Sequence, residues 1–176
     1  SASKCPTVVT RISTGTLGSP ALALVFHPLF AHDYVWSCDG LGEWKGKPAW
    51  IVRFTQRTDR PTTALQSFEY PEGSSLLPLK GMAWLSEKGD HVMHLETDLL
   101  KPMPSVGLDR EHYSINYGQV AFRSHPVKLW LPESVDVYFT LRGHSYHNYS
   151  RYSNFLLFWT GTKQVIGSVK QSRSQP

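Results

Sequence analysis

The sequence predicts an α+β fold that is predominantly antiparallel β: a curved meander sheet, or half-barrel, of about nine strands around one short helix. Three observations carry that expectation. Val135, Val137, Phe139 and Leu141 alternate with Asp136, Tyr138, Thr140 and Arg142, the period of a strand with one apolar and one wet face. Strand-like runs follow one another across short breaks such as Arg142-Gly143, which makes chain neighbours antiparallel partners. Only one stretch, 19–31, carries helical spacing.

Taken in order, Cys5 to Ile12 reads as a first strand, with Pro6 near its start where a lost donor matters least. Ser13 to Ser19 is a loop. Ser19-Pro20 is a helix start, Ser as N-cap and Pro in the first turn, and Leu22, Phe26 and Leu29 recur at helical spacing until His27-Pro28 kinks or ends the helix. Strands are expected at Tyr34–Cys38, Trp50–Phe54 beyond a Lys45-Gly-Lys47 turn, and, more weakly, Thr62–Tyr70. Leu79–Leu85 and His91–Thr97 form a hairpin across Glu87-Lys-Gly-Asp90. After the break at Leu99-Leu-Lys-Pro-Met-Pro104 come Tyr113–Phe122, Val127–Leu131, Val135–Leu141, Phe155–Trp159 and a short Gln164–Ile166. The chain then divides as one domain: an arm at 1–12, a plug helix at 19–31, a sheet at 33–168 and a polar tail at 169–176.

Composition narrows the function classes. At 176 residues and 40% hydrophobic, the chain can bury a core of its own and is not of disordered type. Its longest apolar run, Pro20 to Ala31, is too short for a transmembrane helix and contains His27 and Pro28. Lys and Arg total 18 against 14 Asp and Glu, but they are scattered and form no stripe, so no nucleic-acid partner is expected. Eight His add positive charge in an acidic compartment. The chain opens Ser-Ala-Ser-Lys-Cys and reads as a processed, mature segment. Cys5 and Cys38 can close one disulfide over a loop of about 30 residues, worth roughly 3 kcal/mol. Two buried thiols are the alternative; the polar setting Ser37-Cys-Asp-Gly40 favours the bond.

A Gly-x-Leu-Gly loop at Gly15–Gly18, an apolar helix, Trp50-Ile-Val-Arg-Phe54, and Leu79-Lys-Gly-Met-Ala-Trp-Leu85 occur in turn. Leu95-Glu-Thr-Asp-Leu99, Tyr117-Gly-Gln-Val-Ala-Phe122, Leu129-Trp-Leu-Pro132 and Arg142-Gly-His-Ser-Tyr-His147 before Phe155 complete the series. From Thr14 to Ile166 this order resembles uncharacterised secreted bacterial proteins with the half-barrel fold of the LolA and LppX lipoprotein carriers. The resemblance implies an extracytoplasmic location and a curved sheet that wraps a helical plug and holds acyl chains in its hollow. Here it implies a ligand face of Leu22, Phe26, Phe54, Met82, Trp84, Leu95, Phe139 and Leu157. The sequence departs from the pattern before the Gly-rich loop, where only Cys5 to Ile12 stands in place of a long helix and several strands.

No chemistry-bearing motif stands out. His91-x-x-His94 and His144-x-x-His147 invite a metal, but residues three apart on a strand face opposite sides, so no metal is expected. Ser19, Ser86 and Ser105 lack a nucleophile elbow, and Gly40-Leu-Gly42 precedes a strand, not a phosphate-binding helix, so neither catalysis nor a cofactor is expected. Asp98, Asp109, Glu111 and Asp136 can be paired in space, and most of them read as solvated carboxylates. Trp44, Trp50, Trp84, Trp130, Trp159, Tyr138 and Tyr146 read as core and rim packing before they read as a sugar platform. Asn148-Tyr-Ser150 matches a glycosylation sequon. The leading expectation is a structural or assembly protein whose incomplete half-barrel is completed by neighbouring copies. Thr7, Val8, Val9, Thr10, Arg11 and Ile12 would be the assembly arm. A carrier of lipid-like ligands is the alternative, and an aromatic carbohydrate-binding module a third.

Overall fold

The structure, a computed structural model, describes residues 19–60, 67–70, 73–122 and 126–157. The arm at 1–12, the tail at 169–176, Trp159 and the strand expected at Gln164–Ile166 lie outside those residues. The expected plug helix is present as two short pieces, a 3-10 helix over Ser19–Phe26 and one α turn, α1, over Pro28–Ala31. They part at His27, which is extended (φ −69°, ψ 136°), the conformation a following proline enforces. His27 Nδ1 then accepts the Leu29 N–H at 3.2 Å and caps α1, with Pro28 in its first turn.

Nine strands follow: β1 (Tyr34–Trp44), β2 (Lys47–Gln56), β3 (Ser67–Tyr70), β4 (Gly73–Leu76), β5 (Leu79–Ser86), β6 (Val92–Leu99), β7 (Leu108–Ala121), β8 (Lys128–Leu141) and β9 (His144–Arg151). Seven of them make one antiparallel sheet in the order β1-β2-β5-β6-β7-β8-β9; β3 and β4 pair separately, between β2 and β5 in the chain. Among the described residues the sheet does not close into a barrel. Two hairpins turn on positive-φ pairs, Lys45-Gly46 (49° and 77°) and Arg142-Gly143 (51° and 77°), the geometry that matches strand twist. The excursion between β2 and β5 is clamped at its base, where Gln56 Oε1 accepts the Leu79 N–H at 2.8 Å.

Three expected boundaries are corrected. Val127–Leu131 and Val135–Leu141 are one strand, because β8 carries Pro132 through a bulge opposite Asn116 and Tyr117. The strand after Arg142-Gly143 is β9, directly across the turn. Phe155–Leu157 are coil, and Asn154 before them takes a positive φ of 57°.

Cross-strand partners share a face, so the register fixes the two sides of the sheet. One inner row runs Trp36–Phe54–Gly81–Thr97–Tyr113–Val137–Asn148, and the next Cys38–Val52–Ala83–Leu95–Ile115–Val135–Ser150. The helical segment sets Leu22, Val25 and Phe26 against this face, Phe26 lying 5.2 Å from Trp36 and 6.3 Å from Phe54 between ring centroids. Phe54 lies over Gly81, where a Cβ would strike its ring and the Glu96 carbonyl. That position needs glycine for close approach.

Candidate functional site

The inner face is closed at one end and open at the other. Leu22, Phe26, Phe54 and Leu95, four of the residues expected to line a ligand hollow, are buried in one core beneath the 3-10 helix. Phe139 packs on the edge of that core and is half-buried. Met82 and Trp84 are on the opposite side of the sheet, in a smaller cluster with Ala49, Ile51 and Met93. Their position is set by register, since Met82 pairs with Arg53 and Glu96, and Trp84 with Ile51 and His94. Leu157 sits in the coil after β9 and is half-buried. The expected ligand face is therefore not one surface.

Toward β9 the apolar rows are less deeply buried. Val137, Phe139 and Leu141 are half-buried, and Tyr146, stacked on Phe139 at 4.9 Å and 14°, is 47% exposed. Beside this strip, on the row that pairs with Phe139, lies Glu111. The sequence suggests a solvated carboxylate there, but β7 turns Glu111 inward with Tyr113 and Ile115, and it is only 8% exposed. Burial pushes its carboxyl up to about 7, against the hydrogen bond from Tyr113 that favours the ionised form. Nothing in the local sequence signals this except alternation counted from Tyr113.

The two edges of the sheet differ. β1 is broken by a bulge between Cys38 and Gly40, with Asp39 as the extra residue and Gly40 at φ 106°. Arg53 Nε donates to Asp39 Oδ2 at 2.6 Å across that bulge. β9 pairs with β8 without interruption from Ser134–Arg151 to Leu141–His144, and it contains neither Pro nor Lys. Most of its side chains are exposed.

The outer face carries the other expected site residues, joined in small sets. His147 Nε2 is 3.0 Å from Asp136 Oδ1 and its ring lies flat on Tyr138 at 4.3 Å and 1°. His112 Nδ1 is 2.9 Å from Asp98 Oδ1. His94 is 2% exposed, stacked on Trp44 (3.8 Å, 11°) and meeting Trp84 at a tilt (4.9 Å, 55°), with Nε2 3.1 Å from Glu96. Burial holds its imidazole below the ordinary value, against the pull of Glu96. Lys45, above Trp44, donates to Asn116 Oδ1 at 3.2 Å and ties the β1–β2 turn down over this cluster.

His91 stands apart from His94, on Trp130 at 3.8 Å and beside Asp90 at 2.6 Å. The bulge at Met93 separates the two. His144 is exposed at the β8–β9 turn, paired across the strands with Leu141. Among the described residues no group of three or more His, Cys, Asp or Glu could hold a metal ion. Trp44, Trp130 and Tyr138 each give one broad face to an imidazole, and the Trp50 indole donates to the Glu87 carbonyl at 2.9 Å. Ser86 donates to Asp90 at 2.5 Å, an arrangement that holds a turn and draws the Asp90 carboxyl below its ordinary range. Asp109, Ser105 and Asn148 are exposed. Cys38 is exposed on the β1 edge, and Cys5 lies outside the described residues.

Comparison with protein-family models, with curated proteins and with solved structures gives no match to this chain. Fold and site define a class: among the described residues, an open antiparallel sheet, partly covered on its apolar face by a helical segment, with one regular edge strand beside a half-buried apolar strip. Among the described residues no helix is long and apolar enough to cross a membrane.

Proposed function

We propose that this chain is a non-enzymatic, extracytoplasmic assembly subunit whose open sheet is extended at β9 by a strand from a second copy. The observation that carries this reading is the β9 edge. Soluble sheets guard their edges with bulges, prolines or charged side chains; β9 is regular, has no proline, and carries only Arg151, at its end, among Lys, Arg, Asp and Glu. The apolar strip of Val137, Phe139 and Tyr146 runs alongside it. An added strand takes main-chain hydrogen bonds from the edge and covers the strip with every second side chain. Thr7 to Ile12 supplies the matching pattern, with Val8, Thr10 and Ile12 on one side. Donation from copy to copy gives a ring if it closes and a fibre if it does not. In the same reading the fold is of the LolA and LppX half-barrel kind, and Cys5 and Cys38 are joined. The exposed position of Cys38 supports that bond over a buried thiol.

Sedimentation velocity tests the proposal. The full chain is expected to associate at micromolar concentration and a chain lacking residues 1–12 to remain monomeric. A full chain that stays monomeric overturns it. Intact mass with and without reductant reads the disulfide as a difference of two hydrogens.

A second reading, a carrier of acyl chains, has one observation in its favour: the half-buried apolar strip of Val137, Phe139 and Leu141 adjoins the buried carboxyl of Glu111, one polar group beside apolar surface. Native mass spectrometry of gently extracted protein decides it, with a co-purifying lipid as the expected adduct and bare protein as the refutation.

A further inference from the structure

Where β7 and β8 leave regular pairing, Asn116 faces Ser134 but Tyr117 faces Pro132, so Glu133 is the extra residue of a bulge. Proline has no N–H for the ladder, and a bulge is where a strand interior tolerates it. Bulges also re-aim side chains. Across from this one is Gly118, where a Cβ would lie 3.2 Å from Glu133 Oε2, so the missing side chain leaves that space to the carboxylate. The Tyr152 N–H donates to the Glu133 carbonyl at 2.9 Å and holds the segment after β9 over the bulge.

These features border a cavity of about 290 Å³. Val120, Leu131, Tyr152 and Phe155 give it apolar and aromatic walls, and Glu133 is the one charged residue of its lining. A single carboxylate and two aromatic rings around one space, with the Gln119 amide beside them, share one preference. They favour a compact cation that carries hydrocarbon.

We propose that this cavity binds a small organic ammonium group, with Glu133 as its counter-ion and Tyr152 and Phe155 as aromatic walls. The group can belong to a free amine or to a lysine side chain of another polypeptide, since the recognised chemistry is the same. Gly118 is the positioning residue: it lets the carboxylate lie over β7 where the cavity opens. The site is independent of strand addition at β9, because it uses neither the outer hydrogen-bonding edge of that strand nor the arm.

Two-dimensional ¹H–¹⁵N NMR on the full chain tests this, with choline, n-butylamine and N-acetyl-lysine amide as probes and butan-1-ol and butyrate as controls. Saturable shifts are expected at the amides of Gly118, Gln119 and Val120 with at least one cation and with neither control. Choline as the binding probe assigns a quaternary ligand. Butylamine with the lysine amide assigns a side chain, and butylamine without it a free amine. Glu133→Gln is expected to weaken binding about tenfold or more, the usual loss for a charge-assisted contact. Gly118→Ala should weaken it by displacing the carboxylate. Should Gly118→Ala fail to fold, Phe155→Ala replaces it, with loss of the aromatic wall as the expected cause of weaker binding. Absence of saturable shifts up to about 0.1 M probe, equal binding of butan-1-ol, or unchanged affinity in Glu133→Gln overturns the proposal.

Discussion

The two faces of the sheet are built by different physics. On the inner face, Phe54, Leu95 and Ile115 are held by apolar burial beneath the helical segment, and the geometry has little tolerance, as Gly81 under Phe54 shows. On the outer face, imidazoles, carboxylates and aromatic rings meet in sets that water partly reaches, such as His147 with Asp136 and Tyr138, beside one built around the buried His94. The inner face sets whether the chain folds; buried ionisable groups on either face, Glu111 inside and His94 outside, make stability depend on pH. What differs is the dielectric around each contact, and contact chemistry matters less than that setting.

The largest effects should follow from breaking the inner face. Phe54→Ala is expected to cost about 3–5 kcal/mol, the range for deleting a buried aromatic ring. Gly81→Ala is expected to cost about 1–3 kcal/mol or more, because one obstacle is backbone and the other a buried ring. Urea unfolding reads both, and a loss below about 1 kcal/mol for Phe54→Ala would mean that the inner core is not what holds the sheet.

Glu111 sharpens the comparison, since it is an ionisable group on the inner side. Its folded carboxyl is raised to about 7 from an ordinary 4.5, so the unfolded chain loses that proton first as pH rises. The stabilising contribution is full below about 4.5, declines through the interval, and is gone above about 7. Glu111→Gln is therefore expected to be more stable than the parent at pH 8, by up to about 3 kcal/mol, and nearly equal to it at pH 4. Equal stabilities at both pH values would show that the carboxyl is solvated after all.

His94 gives the opposite sign with a smaller expected effect. Its folded imidazole lies below the ordinary 6.5, so its contribution is present above that value and lost as pH falls through the lowered one. His94→Gln should flatten the acid side of the stability profile measured between roughly pH 4 and 7. The smallest change belongs to Asp136→Asn on the wet side, within about 1 kcal/mol, as for partly exposed ion pairs. A larger loss would mean that Asp136 and His147 are shielded from water.

Much of the fold was legible because alternation and turn residues act over short distances. The β5–β6 hairpin, the Lys45-Gly46 turn and the helix interrupted at His27-Pro28 are all read from neighbours in the chain. What was not legible depends on register. Nothing local shows that Pro132 is accommodated by a bulge, that β9 starts directly after Gly143, or that Met82 and Trp84 face away from Phe54. Glu111 was obscured for the same reason: an acid in a strand reads as solvated until pairing shows which side it occupies. The expected ligand face divides between two sides of the sheet because hydrophobicity marks burial without marking the side.

The Gln56–Leu79 clamp has a kinetic consequence. Every other pairing in the large sheet joins strands consecutive in the chain, so most of it can zip up from local turns. β2 and β5 must instead meet across the β3–β4 excursion, and closing that longer loop costs ~2 kcal/mol more entropy than a two-residue turn. Docking of these two strands is therefore the step at which folding should slow. Substitutions at Val52 or Ala83, which face each other there, should change the folding rate more than equally destabilising ones near β9.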